Sequence, residues 1–293
     1  MSLNNLFLVL SFLFFLSCQR YNGGEIVTSN GYVIQFHELS PTTKAIFKGC
    51  VVNLDMIAKD LNDNIIFSSK FNGLQGVSSF YYDSSLFNSP LNEVFDEIHS
   101  EDSVSFKLTL EDFYNSFFNS NLKLSNKTIS LKDTLRLSLK VLGFNSIEEQ
   151  SVYNFQLLNL AVNSERKLLN ETHKIWDSKY LNLFKYEDLY SIKLSSEKSF
   201  FSINDSMEQF ISINYSIEDL NGRILYTTNS ISEYYDKSLN GQLLKGFKIL
   251  VDQYDRGDSV MAIIPSNLLF GKRGSFVNKI PPFTPVKVNM KIN

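Results

Sequence analysis

The sequence predicts an α+β protein in which one antiparallel sheet, wrapped on a short helix, occurs twice, with a long amphipathic helix between the copies. Three observations lead there. Blocks of sequence recur in the same order in the two halves. Each block reads as alternating strand with turn signals. The stretch between them has apolar residues at helical spacing and contains neither Pro nor Gly.

The repeat comes first. "VVNLDMIAKDLNDNIIFSS" (51–69) aligns without a gap on "FISINYSIEDLNGRILYTT" (210–228). Both hold an alternating strand, an Asp-Leu-Asn turn, a second apolar run and a pair of hydroxyl residues. Asn221-Gly222 is a strong hairpin signal, with Asp63-Asn64 as its weaker version. Then "EDSVSFKLTLEDFYN" (101–115) matches "GDSVMAIIPSNLLFG" (257–271), and "ISLKDTLRLSLKV" (129–141) matches "IPPFTPVKVNMKI" (280–292). Three matched blocks in one order argue for a duplicated domain. Each copy has one short helical stretch, around 91–98 and 243–253.

Between the copies, Leu157, Leu160, Ala161, Ser164, Leu168, Ile175 and Trp176 recur at helical spacing, which predicts a helix over about 147–179 with that face packed on the domains. The resulting division is 1–17, a leader; 18–42, a tether and first strand; 43–144, the first domain; 145–185, the helical linker; and 186–293, the second domain.

Composition narrows the function. Of 293 residues 43% are hydrophobic, so the chain is globular. The 28 Lys+Arg and 31 Asp+Glu nearly cancel, which gives nucleic-acid binding no support. His37, His99 and His173 are too scattered to suggest a metal site, and no cofactor is implied. The run "LFLVLSFLFFLSC" is short for a membrane span and stops at Cys18, after small Ser17. It resembles a bacterial lipoprotein signal, which implies a lipid on Cys18 and residence in the cell envelope. Gln19 in the following position points to the outer membrane. With Cys18 lipidated, Cys50 is left as a buried strand residue and no disulfide framework exists.

The second copy resembles the FKBP-type peptidyl-prolyl isomerases over "INYSIEDLNGRILYTT", "GQLLKGFKILVDQYDRGDSVMAIIPSNLLFG" and "KIPPFTPVKVNMKI". The resemblance implies two FKBP-like domains in tandem and an activity that needs no acid, base or metal. An X-Pro bond rotates over a barrier of about 18–20 kcal/mol because twisting breaks amide resonance. An apolar basin that grips the proline ring and favours the twisted, less polar amide lowers that barrier by differential binding. Carried over from the family, the basin is Tyr215, Leu225, Leu243, Leu244, Phe247, Phe270, Ile280 and Val288, with Tyr234 or Tyr235 as a further wall. Phe247 takes the place of the family's Trp floor, Phe270 that of its Tyr, and the Leu244 N–H that of its carbonyl-binding donor.

Tyr226 stands where the family has an Asp that orients the Tyr hydroxyl, so the polar handles are thinned and a weakened isomerase is expected. In the first copy Met56, Phe67, Leu91, Pro90, Asn115 and Ser130-Leu131 replace the corresponding signature residues, so catalysis is not expected there. The clients would be X-Pro-containing polypeptides. The alternative is a non-catalytic scaffold or peptide-binding subunit of a secretion or outer-membrane assembly complex.

Overall fold

The computed structural model describes residues 24–40, 44–83, 90–118, 130–197, 210–228, 232–236, 239, 241–277 and 279–293. The expected leader and lipidation site at Cys18 lie outside these. Two compact units are present: residues up to Ser68 with Ser78–Gln150, and Ser69–Val77 with Ser151–Asn293.

The first unit carries β1 (Glu25–Val27), β2 (Val33–Glu38), β3 (Val51–Lys59), β4 (Ile65–Ser68), β5 (Ser78–Tyr81), β6 (Ser103–Thr109) and β7 (Thr134–Asn145). The order across the sheet is β1-β2-β6-β7-β3-β4, with β5 also on β3, and every pair is antiparallel. Helix α1 (Ser69–Asn72) follows β4. Helix α2 (Pro90–Glu97) packs Leu91, Val94 and Phe95 into a core with Val52, Leu54, Met56, Val104 and Leu137 from alternate strand positions. Cys50 is buried, as expected, but lies just before β3 and not within it.

The second unit repeats this plan with β8 (Phe184–Tyr186), β9 (Leu189–Ser196), β10 (Phe210–Glu218), β11 (Ile224–Thr227), β12 (Glu233–Asp236), β13 (Asp258–Ile264) and β14 (Val286–Ile292). Its order, β8-β9-β13-β14-β10-β11 with β12 also on β10, is that of the first sheet strand for strand. The registers agree too. Leu54 faces Val141, and the aligned Ile213 faces Ile292. Val104 faces Leu139, and the aligned Val260 faces Met290. A one-residue slip would turn every side chain to the other face, so this agreement follows from the same apolar alternation in both copies. The buried Asp of each copy caps the same turn: Asp102 accepts the His99 N–H at 2.8 Å, and Asp258 the Asp255 N–H at 3.1 Å.

Several details differ from the sequence reading. A hairpin of two strands, β1 and β2, stands where one was expected. The left-handed residue matching Gly222 (φ 88°) is Asp63 (φ 63°), so the first copy's turn is Asn62-Asp63 and lies one residue earlier than Asp63-Asn64. An additional helix, α3 (Leu110–Phe118), follows β6. Thr109 starts it: its hydroxyl accepts the Asp112 N–H at 3.0 Å and donates to the Asp112 carboxylate at 2.7 Å.

Helix α4 (Ile147–Lys179) has the expected span. A capping box sets its start, with Glu149 N–H on Ser146 Oγ and Ser146 N–H on the Glu149 carboxylate. Within the first unit Gln150 exchanges 3.0 Å bonds with buried Asn53 and meets Ser79 and Asn145. Within the second unit Leu169 and Trp176 pack with Ile263, and Glu165 accepts both the N–H and the hydroxyl of Ser266, at 2.7 and 2.8 Å. The buried stripe is Leu157, Ala161, Leu169, His173 and Trp176. Leu160, Ser164, Leu168 and Ile175, expected on that stripe, are exposed. They sit beside it: Leu160, Leu168 and Ile175 each immediately precede a buried residue, which places them about 100° around the helix from it.

Candidate functional site in the second unit

The site is built on β10, β11 and β12, on α5 (Lys245–Gln253) and on the loop between β13 and β14. β11 and β12 pair with opposite ends of β10, so their side chains converge over its middle. Tyr215 lies there. Thr228 fixes its backbone, accepting the Tyr215 N–H at 3.0 Å and returning its own N–H to the Tyr215 carbonyl.

Helix α5 comes close to β13 because residue 246 is Gly. A Cβ at that position would lie 2.6 Å from Ile264 Cγ2. This seats Phe247 under Tyr215, edge to face, with ring centroids 4.7 Å apart. Leu244 caps the helix in extended backbone (φ −59°, ψ 142°), and its N–H meets no acceptor among the described residues. Two 3-10 turns, Ser266–Leu268 and Gly271–Arg273, carry the chain past Phe270. The bridge between Ser275 and Ile280 then closes the loop, with bonds of 2.7 and 2.8 Å.

Of the eight predicted residues, seven meet in one apolar cluster. Phe247, Ile280 and Val288 are fully covered, at 2%, 0% and 0% exposure, while Tyr215, Leu225, Leu243 and Phe270 pack against them half-buried. Leu244 is the exception: its side chain is 39% exposed and outside the cluster. Tyr235 joins the wall, and Tyr234 points to solvent.

Sequence reading missed Glu233. Its carboxylate accepts three phenols: Tyr215 at 3.1 Å and Tyr235 on Oε2, and Tyr226 at 3.0 Å on Oε1. The absence of a carboxylate at position 226 therefore does not leave the Tyr215 hydroxyl without an orienting acceptor. An acceptor reaches it from β12, and Tyr226 becomes a second donor to it. Burial pushes both phenols well above their ordinary range, followed by the Glu233 charge for Tyr215 and by the hydrogen bond to Glu233 for Tyr235, so both remain donors. The available signal was the alternation of "SEYYD", which puts Glu233 and Tyr235 on one face of a strand.

In the first unit, register places Ser78 where Glu233 stands and Phe80 where Tyr235 stands. With Met56 for Tyr215 and Phe67 for Tyr226, no polar group of the cluster is retained. Met56, Phe67 and Leu91 are core. Among the described residues no group of His, Cys, Asp and Glu is arranged to hold a metal, and no helix is long and apolar enough to cross a membrane.

No protein-family model matches the sequence, and no curated protein does. Solved structures do match. A peptidyl-prolyl cis-trans isomerase from Pseudomonas syringae pv. tomato is 14% identical, covering 46% of this chain and 92% of its own, with a TM-score of 0.36. FkpA from Escherichia coli is 15% identical over 49% of this chain and 69% of its own, with a TM-score of 0.37. The three FKBP domains of wheat FKBP73 align with 90% of this chain and 94% of their own, at 9% identity and a TM-score of 0.32. The solved structures to which this chain is similar thus include a peptidyl-prolyl cis-trans isomerase and a protein with three FKBP domains in one chain.

Proposed function

We propose that the second unit binds X-Pro segments of polypeptides and isomerises the peptide bond. The observation that carries this is the Tyr215–Phe247 ring pair beside the Glu233 phenol cluster, with the Leu244 N–H at the start of α5. Aromatic and aliphatic walls suit a proline ring, an N–H without an acceptor among the described residues suits the carbonyl, and no proton transfer is required. Twisting the amide lowers its polarity, so an apolar wall favours the twisted form over either planar one. Phe247 is covered at rest, so an entering proline has to displace side chains above it, which fits a slow isomerase. Exchange spectroscopy on an Ala-Leu-Pro-Phe peptide tests the reading. Micromolar protein should accelerate cis/trans exchange, and Phe247→Ala should reduce the acceleration about tenfold or more, equivalent to ~1.4 kcal/mol.

The burial of Phe247, Ile280 and Val288 favours a second reading, a non-catalytic peptide-binding scaffold in an envelope secretion or assembly complex. Under it, Phe247→Ala leaves cellular function intact. In either case we propose tethering to the bacterial envelope through Cys18, supported by the apolar run before it. Labelled fatty acid should enter the wild-type chain and not the Cys18→Ala variant.

A further inference from the structure

We propose that Glu233 makes this site select a cationic side chain, Lys or Arg, next to the bound proline. The inference rests on the reading of the second unit as a prolyl-peptide site. The carboxylate lies half-buried against Tyr215 and Tyr235, which pack, as Leu225 and Leu243 do, on the apolar cluster that contains Phe247. All three of its described bonds come from neutral phenols, and no Lys or Arg pairs with it among the described residues. Phenols hold the carboxylate in place without cancelling its charge.

A carboxylate has about four acceptor positions, so three phenols leave room for one more donor. A Lys or Arg on a bound segment supplies both that donor and the missing charge. Next to apolar walls the attraction is screened less than in water. An Asp or Glu at the same place meets repulsion and finds no donor. The ring pair would thus grip the proline while Glu233 reads its neighbour.

The test uses the whole chain and three peptides, Ala-Lys-Pro-Phe, Ala-Leu-Pro-Phe and Ala-Glu-Pro-Phe, with kcat/KM from exchange spectroscopy. At low salt the Lys peptide should exceed the Glu peptide about tenfold, with Leu between them. Raising salt to about 0.5 M should shrink that ratio several-fold. Glu233→Gln should bring the ratio close to one. If Glu233→Gln does not fold, the salt dependence of the wild-type ratio decides. Equal rates for the three peptides, or a ratio unchanged in Glu233→Gln, overturn this inference and leave the isomerase reading standing. Absence of acceleration for every peptide overturns both.

Discussion

Tyr215 has two roles that a single substitution separates. Its ring covers Phe247, and its hydroxyl donates to Glu233. Tyr215→Phe keeps the ring contact and removes one of three donors to an anion. The expected cost is about 1–2 kcal/mol in urea denaturation, with the fold retained. Gly257 is a sharper case. Its φ is 89°, and a Cβ there would stand 2.0 Å from the Glu197 carbonyl oxygen. Gly257→Ala should therefore destabilise the second unit by at least about 1–3 kcal/mol in the same assay. In the first unit the aligned position is Glu101, with φ 68°, so a side chain is accommodated there in the left-handed region. Such differences cannot be read from residue type alone, because they depend on what lies opposite the Cβ.

Among the elements, α4 was the most legible and β12 the least. A run without Pro or Gly, opened by Ser146-x-x-Glu149, specifies a helix locally. Its buried stripe is decided by what packs on it, so Leu160 and Ile175 could not be placed from spacing. β12 is four residues long, and its importance lies in convergence with β10 and β11, which only pairing reveals. α4 also carries a pH-sensitive contact. His173 is buried and stacks on Tyr190 with ring centroids 3.7 Å apart, and its Nε2 finds no partner among the described residues. Burial holds its ring below the ordinary value of 6.5, against the opposing pull of the Asp188 carbonyl and of the Asp188 and Asp177 charges. The unfolded chain takes up this proton near 6.5 and the folded one only at lower pH. The stabilising contribution is thus complete above about 6.5 and is lost as pH falls toward the folded value. Thermal melts should show stability declining from pH 7.5 to 5, and His173→Gln should flatten that decline.

In the whole molecule, the duplication was legible because apolar alternation and turn residues survive in both copies, and the matched registers bear it out. The site was half legible: the apolar shell follows the family resemblance residue by residue, while the carboxylate comes from a short strand to which that resemblance assigned no acceptor. The proposed activity therefore belongs to one copy alone. Leu91→Ala, at the position matching Phe247, empties a fully buried site in the first unit. It should cost about 2–5 kcal/mol there while leaving acceleration of X-Pro exchange per folded molecule unchanged. Thermal melts together with the peptide assay check both parts.

The strand order has a consequence for synthesis. β7 runs between β6 and β3, and β14 between β13 and β10, so each unit's last strand fills the middle of its sheet. A chain that emerges N-terminus first, from the ribosome or from an export channel, therefore carries two unzipped half-sheets until that final stretch is out. Each half exposes a strand edge open to foreign chains, and these contacts are distant in sequence, which slows closure. The window of vulnerability opens twice per molecule, and the second begins only after the first has had the length of α4 in which to close.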